Sequence, residues 1–365
     1  MIIKIGDLFE SKAKTIVNTI NCVGVMGKGI ALEFKKRYPE MYNEYIALCK
    51  AQRIKPGVPY YYTDFTGASI LNFPTKDHWR SPSKLSYIIN GLNWFKQNYQ
   101  QCGITSIAFP PLGCGNGGLT WEVVGPIMYD ALKDLPIDVE IYAPYGTSSE
   151  LLSLEYLENR RIESSKDILG AKSLPFNKYW LLILYVIQLL NHDRYSLSVG
   201  RTILQKICYL LARVGLPMGF TFVKGVYGPY AKEVKSAITV LSNANYMTER
   251  QLGQMVETVV APSFSLPKEN YTSEEIESSN KVFDLLSRVK STDQAEVLAT
   301  ILFSFDKLSE KEQPTEQQIF DYVLQWKPRW KNQKESDLIA TIGDLASLGW
   351  MKPRTDCGML NNDIY

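Results

Sequence analysis

Two glycine-rich turns stand where a strand-like stretch gives way to a helical one. The first runs Asn21-Cys22-Val23-Gly24-Val25-Met26-Gly27-Lys28-Gly29-Ile30-Ala31, and the second Pro111-Leu112-Gly113-Cys114-Gly115-Asn116-Gly117-Gly118-Leu119. Glycines let backbone N–H groups turn inward and approach a phosphate closely, beside the positive end of a helix. One such loop commonly serves only a tight turn. Two of them, side by side at strand C-termini, can cradle a diphosphate. Neither fits the GxxxxGK[ST] or the GxGxxG pattern. A third stretch, Asn72-Phe73-Pro74-Thr75-Lys76-Asp77-His78-Trp79-Arg80, offers an amine. A lysine becomes a nucleophile when its surroundings lower its pKa enough to supply neutral amine; otherwise Lys76 is a solvated loop lysine, as most are. Lys28 and Lys84 are its rivals, Lys84 at a helix start where exposure is the default and Lys28 closer to any phosphates. His78, Trp79 and Arg80 mix a cation with an aromatic ring. Such a set stacks a base and contacts a phosphate of single-stranded nucleic acid, or else the Trp packs against the sheet with the Arg in solvent. Asp7, after the first strand, reads by itself as an N-cap or turn residue.

The elements that must position these residues alternate in type. Residues 2–5, 15–20, 58–63, 69–73, 106–109 and 139–143 read as strands. Helical spacing covers 29–37, 83–97 and 120–132. Strands alternating with crossover helices predict a three-layer α/β/α domain over residues 1–150, its mixed sheet largely parallel and covered on both faces. Composition then changes: residues 151–174 read as a linker, 175–265 as a helical domain, and 266–365 as a second helical, winged-helix-like domain. Residues 179–190 are apolar on all sides and predict a buried helix; the longest apolar run is about half the length needed to span a bilayer. The 365 residues suit two or three domains, and a net charge of +2 makes no whole-chain demand for nucleic acid. Six scattered cysteines without a CxxC pair, and only two histidines, argue against a metal site or a disulfide framework. The N-terminus lacks a signal-peptide layout, and a cytoplasmic protein without membrane attachment is expected.

IGDLF near the start, VNTINCVGVMGKGIALEFKKRYP and PPLGCGNGGLTWEVV together resemble the macrodomain family, the ADP-ribose-binding α/β/α fold, over about residues 1–145. The resemblance implies that Asp7 holds the adenine amino group with the backbone of Leu8 beside it. It implies that Gly24, Met26, Gly27, Lys28, Gly29, Ile30 and Ala31, with Gly113, Cys114, Gly115, Asn116, Gly117, Gly118 and Leu119, hold the diphosphate, and that Asn21 faces the distal ribose. Thr75-Lys76 and the Met26–Ala31 loop resemble the lysine-dependent subclass, and within it the DarG-type DNA ADP-ribosyl glycohydrolase antitoxins. The implied activity is removal of ADP-ribose from thymidine bases of single-stranded DNA, with ADP-ribose as product, no cofactor, and Lys76 and Asn21 as catalytic residues. Some relatives acting on protein carboxylates place an Asp where this chain has Gly117, so no second catalytic acid is assigned. A passive ADP-ribose reader, or a hydrolase of protein-linked ADP-ribose or O-acetyl-ADP-ribose, would use the same pocket.

In the second half, LQKICYLL (204–211) and GVYGPYAKEVKSAI (225–238) resemble the SocA/Panacea-type antitoxin domain. That implies recognition of a protein partner, a DarT-like ADP-ribosyltransferase toxin. A plain helical core with a Gly-Pro turn fits the same residues, and a winged helix also allows DNA binding, although the basic residues are scattered. Trp326, Trp330 and Trp350 sit at helix ends, as interface anchors or as core.

Overall fold

The computed structural model describes residues 1–159, 176–193, 197–252 and 255–354. They form two compact units, the first made of Met1–Phe176 with Lys235–Tyr246 and the second of Asn177–Val234 with Met247–Tyr365.

The first unit is built on a six-stranded sheet of order β1-β6-β5-β2-β4-β3. Its strands are β1 (Ile2–Lys4), β2 (Thr15–Ile20), β3 (Tyr60–Thr63), β4 (Ser69–Pro74), β5 (Ser106–Phe109) and β6 (Asp138–Tyr142). All neighbours pair in parallel except β3, which is an antiparallel edge on β4. The alternation of a strand sends successive side chains to opposite faces. Leu71, Ile107 and Ile141 therefore enter a core with α3 (Leu85–Asn98) and α4 (Trp121–Leu132), while Ile70, Ala108 and Tyr142 enter another with α1 (Gly29–Arg37) and α2 (Pro39–Lys50). Both faces are covered, as the run of alternating elements predicts. Because the five strands other than β3 run in parallel, the loops after β1, β2, β4 and β5 emerge on one edge of the sheet, and all three candidate stretches lie there.

The α2 helix was not anticipated. Pro39 stands in its first turn, where a missing N–H costs nothing, and Met41 and Tyr45 bury one face. The stretch 151–174 opens with helix, in keeping with the helix-like LLSLEYLENRR that precedes its polar part. Residues 151–159 are helical, in α5 (Ser149–Leu152) and α6 (Leu154–Asn159), and close onto α4: Trp121 Nε1 donates to the Leu151 carbonyl (3.0 Å) and Tyr129 Oη to Glu158 (2.7 Å). The rest of that stretch, 160–174, lies outside the described residues.

In the second unit α7 (Trp180–His192) is the buried apolar helix expected, and no helix among the described residues is long and apolar enough to cross a membrane. Helix α8 (Arg201–Arg213) packs against α7, α10 (Ser273–Ser287) and α11 (Thr292–Ser309). Strands β9 (Met247–Leu252) and β10 (Met255–Val260) form the antiparallel wing suggested near residue 246. No second wing follows: over the described residues 266–354 the chain is helical, with one isolated bridge between Thr315 and Arg354. The short strands β7 (Val223–Gly225) and β8 (Gly228–Tyr230) flank a turn anchored from beneath. Lys206 Nζ, from the LQKICYLL helix, donates to the carbonyls of Tyr227 and Pro229, and Lys327 Nζ donates to Val226 O and pairs with Glu296 (2.7 Å). Burial lowers the Lys206 pKa to about 8. The two sequence stretches quoted for the second half are thus joined by one lysine. Trp330 and Trp350 are buried, which makes them core residues.

Candidate functional site

The first glycine loop leaves β2 tied to the chain that leaves β4. Thr75 N donates to Ile20 O (3.0 Å), and Cys22 N to Asp77 O (2.9 Å). Beneath them the register partners Asn18 and Asn72 are fully buried and bonded to each other (2.8 Å), with Asn18 Nδ2 4.0 Å from the sulfur of buried Met26. Asn21 is bonded within the turn and to α2. Its Oδ1 accepts from Val23 N (3.0 Å) and from Tyr45 Oη (3.1 Å), and its Nδ2 donates to Val25 O (2.5 Å). These bonds hold the Asn21 amide against the turn that follows β2 and against Tyr45 of α2. Tyr45, which also donates to Asn21 O (2.8 Å), is the residue the sequence reading lacked, because it stands on the unanticipated α2; burial raises its pKa.

The second loop turns through positive φ at Gly113, Gly115 and Gly118, and closes with Leu119 N donating to Gly113 O (3.1 Å). Leu119 is buried in the α3–α4 core. The two loops abut: a Cβ on Gly29 would lie 3.1 Å from Asn116 Nδ2. Lys28 is the N-cap of α1, with Gly29, Ile30 and Ala31 in its first turn, while Met26 is buried in the core beneath α1 and α2.

Lys76 reaches this junction. Its Nζ donates to the carbonyl of Asn116 at 2.8 Å, while its own carbonyl accepts from Cys22 Sγ (3.3 Å). Ser83, wholly buried, donates its backbone N–H to Gly117 O (2.9 Å). Gly117 has no room for a side chain: its Cβ would sit 2.4 Å from Ser83 Oγ, and 3.9 Å from Lys76 Cε. A carboxylate at that position is excluded by Ser83 as well as by sequence. Lys84 differs from its expected exposure. It is half-buried at the N-cap of α3, and burial lowers its pKa, against an opposing effect from Asp77. Burial also pushes the thiols of Cys22 and Cys114 up to about 12, so neither supplies a thiolate near neutral pH.

His78 Nδ1 accepts from Arg80 N (3.2 Å), and the Arg80 guanidinium lies 4.6 Å from the centroid of the Trp79 ring. Trp79 is 43% exposed, so it is not packed away against the sheet. Asp7 lies on the same sheet edge, with β6 and β5 between its strand and β2. Its Oδ1 caps the short turn Leu8–Glu10 by accepting from Phe9 N (3.0 Å); Leu8 is buried, and Phe9 packs against Phe34 of α1 (4.9 Å between rings). Among the described residues no group of three or more His, Cys, Asp or Glu is placed to hold a metal ion.

Residues 17–128 match the Macro domain family. The chain is 36% identical over 252 residues to a DNA ADP-ribosyl glycohydrolase of Mycobacterium tuberculosis, covering 66% of each. It is 34% identical over 240 residues to a DNA ADP-ribosyl glycohydrolase of Thermus aquaticus, covering 65% of this chain and 62% of the relative. To a DNA ADP-ribosyl transferase-DNA ADP-ribosyl glycohydrolase fusion protein of Thermosipho africanus it is 41% identical over 157 residues, 38% of this chain and 40% of the relative. The chain thus matches 66% or less of the length of each of these relatives.

Proposed function

The chain carries a macrodomain, and on that premise we propose that it hydrolyses ADP-ribose from thymidine bases of single-stranded DNA. The observation that carries this reading is the Lys76 amine, held over the junction of two abutting glycine loops by Asn116. A diphosphate laid along those loops has backbone N–H groups and the α1 N-terminus around it, and a passive reader has no need of an amine there. In the net reaction the bond from ribose C1″ to the thymine nitrogen breaks. A water oxygen bonds to C1″, and the base nitrogen takes a proton. An imide-type nitrogen is a tolerable leaving group, so the step proceeds without the second carboxylic acid that Gly117 and Ser83 exclude. Lys76 acts at C1″, as nucleophile when neutral or as proton donor when charged. Asn21, and Tyr45 behind it, position the first loop.

The names of the relatives from Mycobacterium tuberculosis and Thermus aquaticus support DNA as the carrier of the ADP-ribose. The exposed Trp79 with Arg80 across its ring supports a single strand, whose bases stack on such a pair. In this reading the second unit binds and neutralises a DarT-like ADP-ribosyltransferase. The fusion of transferase and glycohydrolase in the Thermosipho africanus relative supports that partner. Substrate competition tests the proposal: an ADP-ribosylated thymidine oligonucleotide and a protein ADP-ribosylated on carboxylates are offered together. Release from the oligonucleotide alone is expected; release from the protein alone refutes the DNA assignment.

A further inference from the structure

Asn243 is a buried polar residue that the chemistry above leaves unused. It ends α9 (Val234–Asn243) and belongs to the segment that clusters with the first unit. Its Oδ1 accepts from Leu85 N (2.8 Å), and its Nδ2 donates to Ser83 O (3.1 Å) and to Thr239 O in its own helix (2.9 Å). Leu85 opens α3, where backbone N–H groups lack intrahelical partners, and the N-cap Lys84 offers no side-chain bond. A side chain 158 residues away supplies that cap. One turn earlier, Thr239 Oγ1 lies 2.6 Å from where a Cβ on Gly118 would stand. The α9 helix therefore meets both the segment that follows Lys76 and the second glycine loop. From Asn243 the contacts continue through Ser83 to Gly117 O (2.9 Å), and from the neighbouring Asn116 carbonyl to Lys76 Nζ (2.8 Å).

We propose that Asn243 is a positioning residue for the hydrolase. It fixes residues 83–85, and through them the loop on which the Lys76 amine rests, so the site is completed by chain far beyond the residues 17–128 that match the family. The inference rests on reading Lys76 as the reacting group. It assigns Asn243 no contact with ADP-ribose.

The test uses the full chain and an ADP-ribosylated thymidine oligonucleotide under single-turnover and steady-state conditions. Asn243→Ala is expected to lower kcat on the order of tenfold, since small misplacements of a reacting group are costly, and to change KM and the affinity for free ADP-ribose by much less than that. Asn243→Asp keeps the acceptor for Leu85 N–H and loses the donor to Ser83, so it recovers part of the rate. A merely structural role would lower the melting temperature and leave kcat of the folded protein unchanged. Lys76→Ala runs alongside. Wild-type kcat in folded Asn243→Ala with Lys76→Ala inactive overturns this inference alone; full activity in Lys76→Ala overturns the reading beneath it. Should Asn243→Ala not fold, wild-type kcat in Asn243→Asp overturns the inference equally.

Discussion

Gly117→Ala adds one methyl group at the point where the loops, Ser83 and Lys76 meet. That Cβ lies 2.4 Å from Ser83 Oγ and 3.0 Å from Ser83 Cβ, whereas ordinary contact begins at 3.4 Å. Ser83 cannot easily retreat: it is wholly buried, its N–H is bonded to Gly117 O and its carbonyl to Asn243. The Ser83 hydroxyl is unbonded among the described residues and rotates aside, but its Cβ cannot, so the second loop yields by a few tenths of an ångström and carries the Asn116 carbonyl away from the Lys76 amine; a displacement of that size costs on the order of tenfold in rate. Overpacking of this kind costs about 1–3 kcal/mol of stability. The assay is single-turnover release of ADP-ribose from the modified oligonucleotide, with thermal unfolding in parallel. Ser83→Gly removes both offending atoms, so Ser83→Gly with Gly117→Ala regains most of the lost rate. A wild-type rate for Gly117→Ala alone, or no recovery in the double variant, refutes the steric reasoning.

Three further outcomes follow from the same contacts. Trp79→Ala weakens binding of single-stranded DNA by about 1–3 kcal/mol in a fluorescence titration and leaves affinity for free ADP-ribose unchanged; intact DNA affinity means the ring does not stack a base. Lys84→Ala retains release of ADP-ribose from the oligonucleotide, because the Lys84 side chain makes no cap bond at the start of α3 while the Lys76 amine sits at the loop junction; loss of turnover in folded Lys84→Ala moves the catalytic amine to Lys84. Lys206→Met leaves the Tyr227 and Pro229 carbonyls unpaired and costs about 1–3 kcal/mol in urea unfolding. Because burial holds Lys206 near 8, below its ordinary 10.5, the unfolded chain binds more protons between those values. This group's contribution to wild-type stability therefore rises from pH 8 toward 10.5. Lys206→Met lacks that rise, and identical pH slopes for the two proteins would contradict it.

The first unit was largely legible because its information is local. Strand periodicity, glycine turns and helix spacing located every strand of the sheet and both loops. What escaped depends on residues far apart in the chain. Nothing near Asn21 in sequence signals that its amide is bonded to Tyr45 and Val25. Lys84 looked exposed because its position at a helix start says nothing about the residues that bury it. Asn243 capping α3 leaves no periodic trace at either end, since the cap normally sought is the residue just before the helix. The signal that Gly117 faces Ser83 lay in the absence of a side chain, which sequence alone reads as a missing acid rather than a filled space. In the second unit, Lys206 sits on a buried helix face where a lysine is unexpected. That mismatch was the available hint that it holds the turn beyond β7.

The central claim is that the Lys76 amine acts on ADP-ribose attached to DNA. Its most direct measurement is single-turnover release of ADP-ribose from an ADP-ribosylated thymidine oligonucleotide by wild type and by Lys76→Ala at equal ADP-ribose occupancy. Release by wild type and a loss of at least about a hundredfold in the variant are expected, the scale on which positioned acid–base groups act. Equal rates from the two proteins would contradict it.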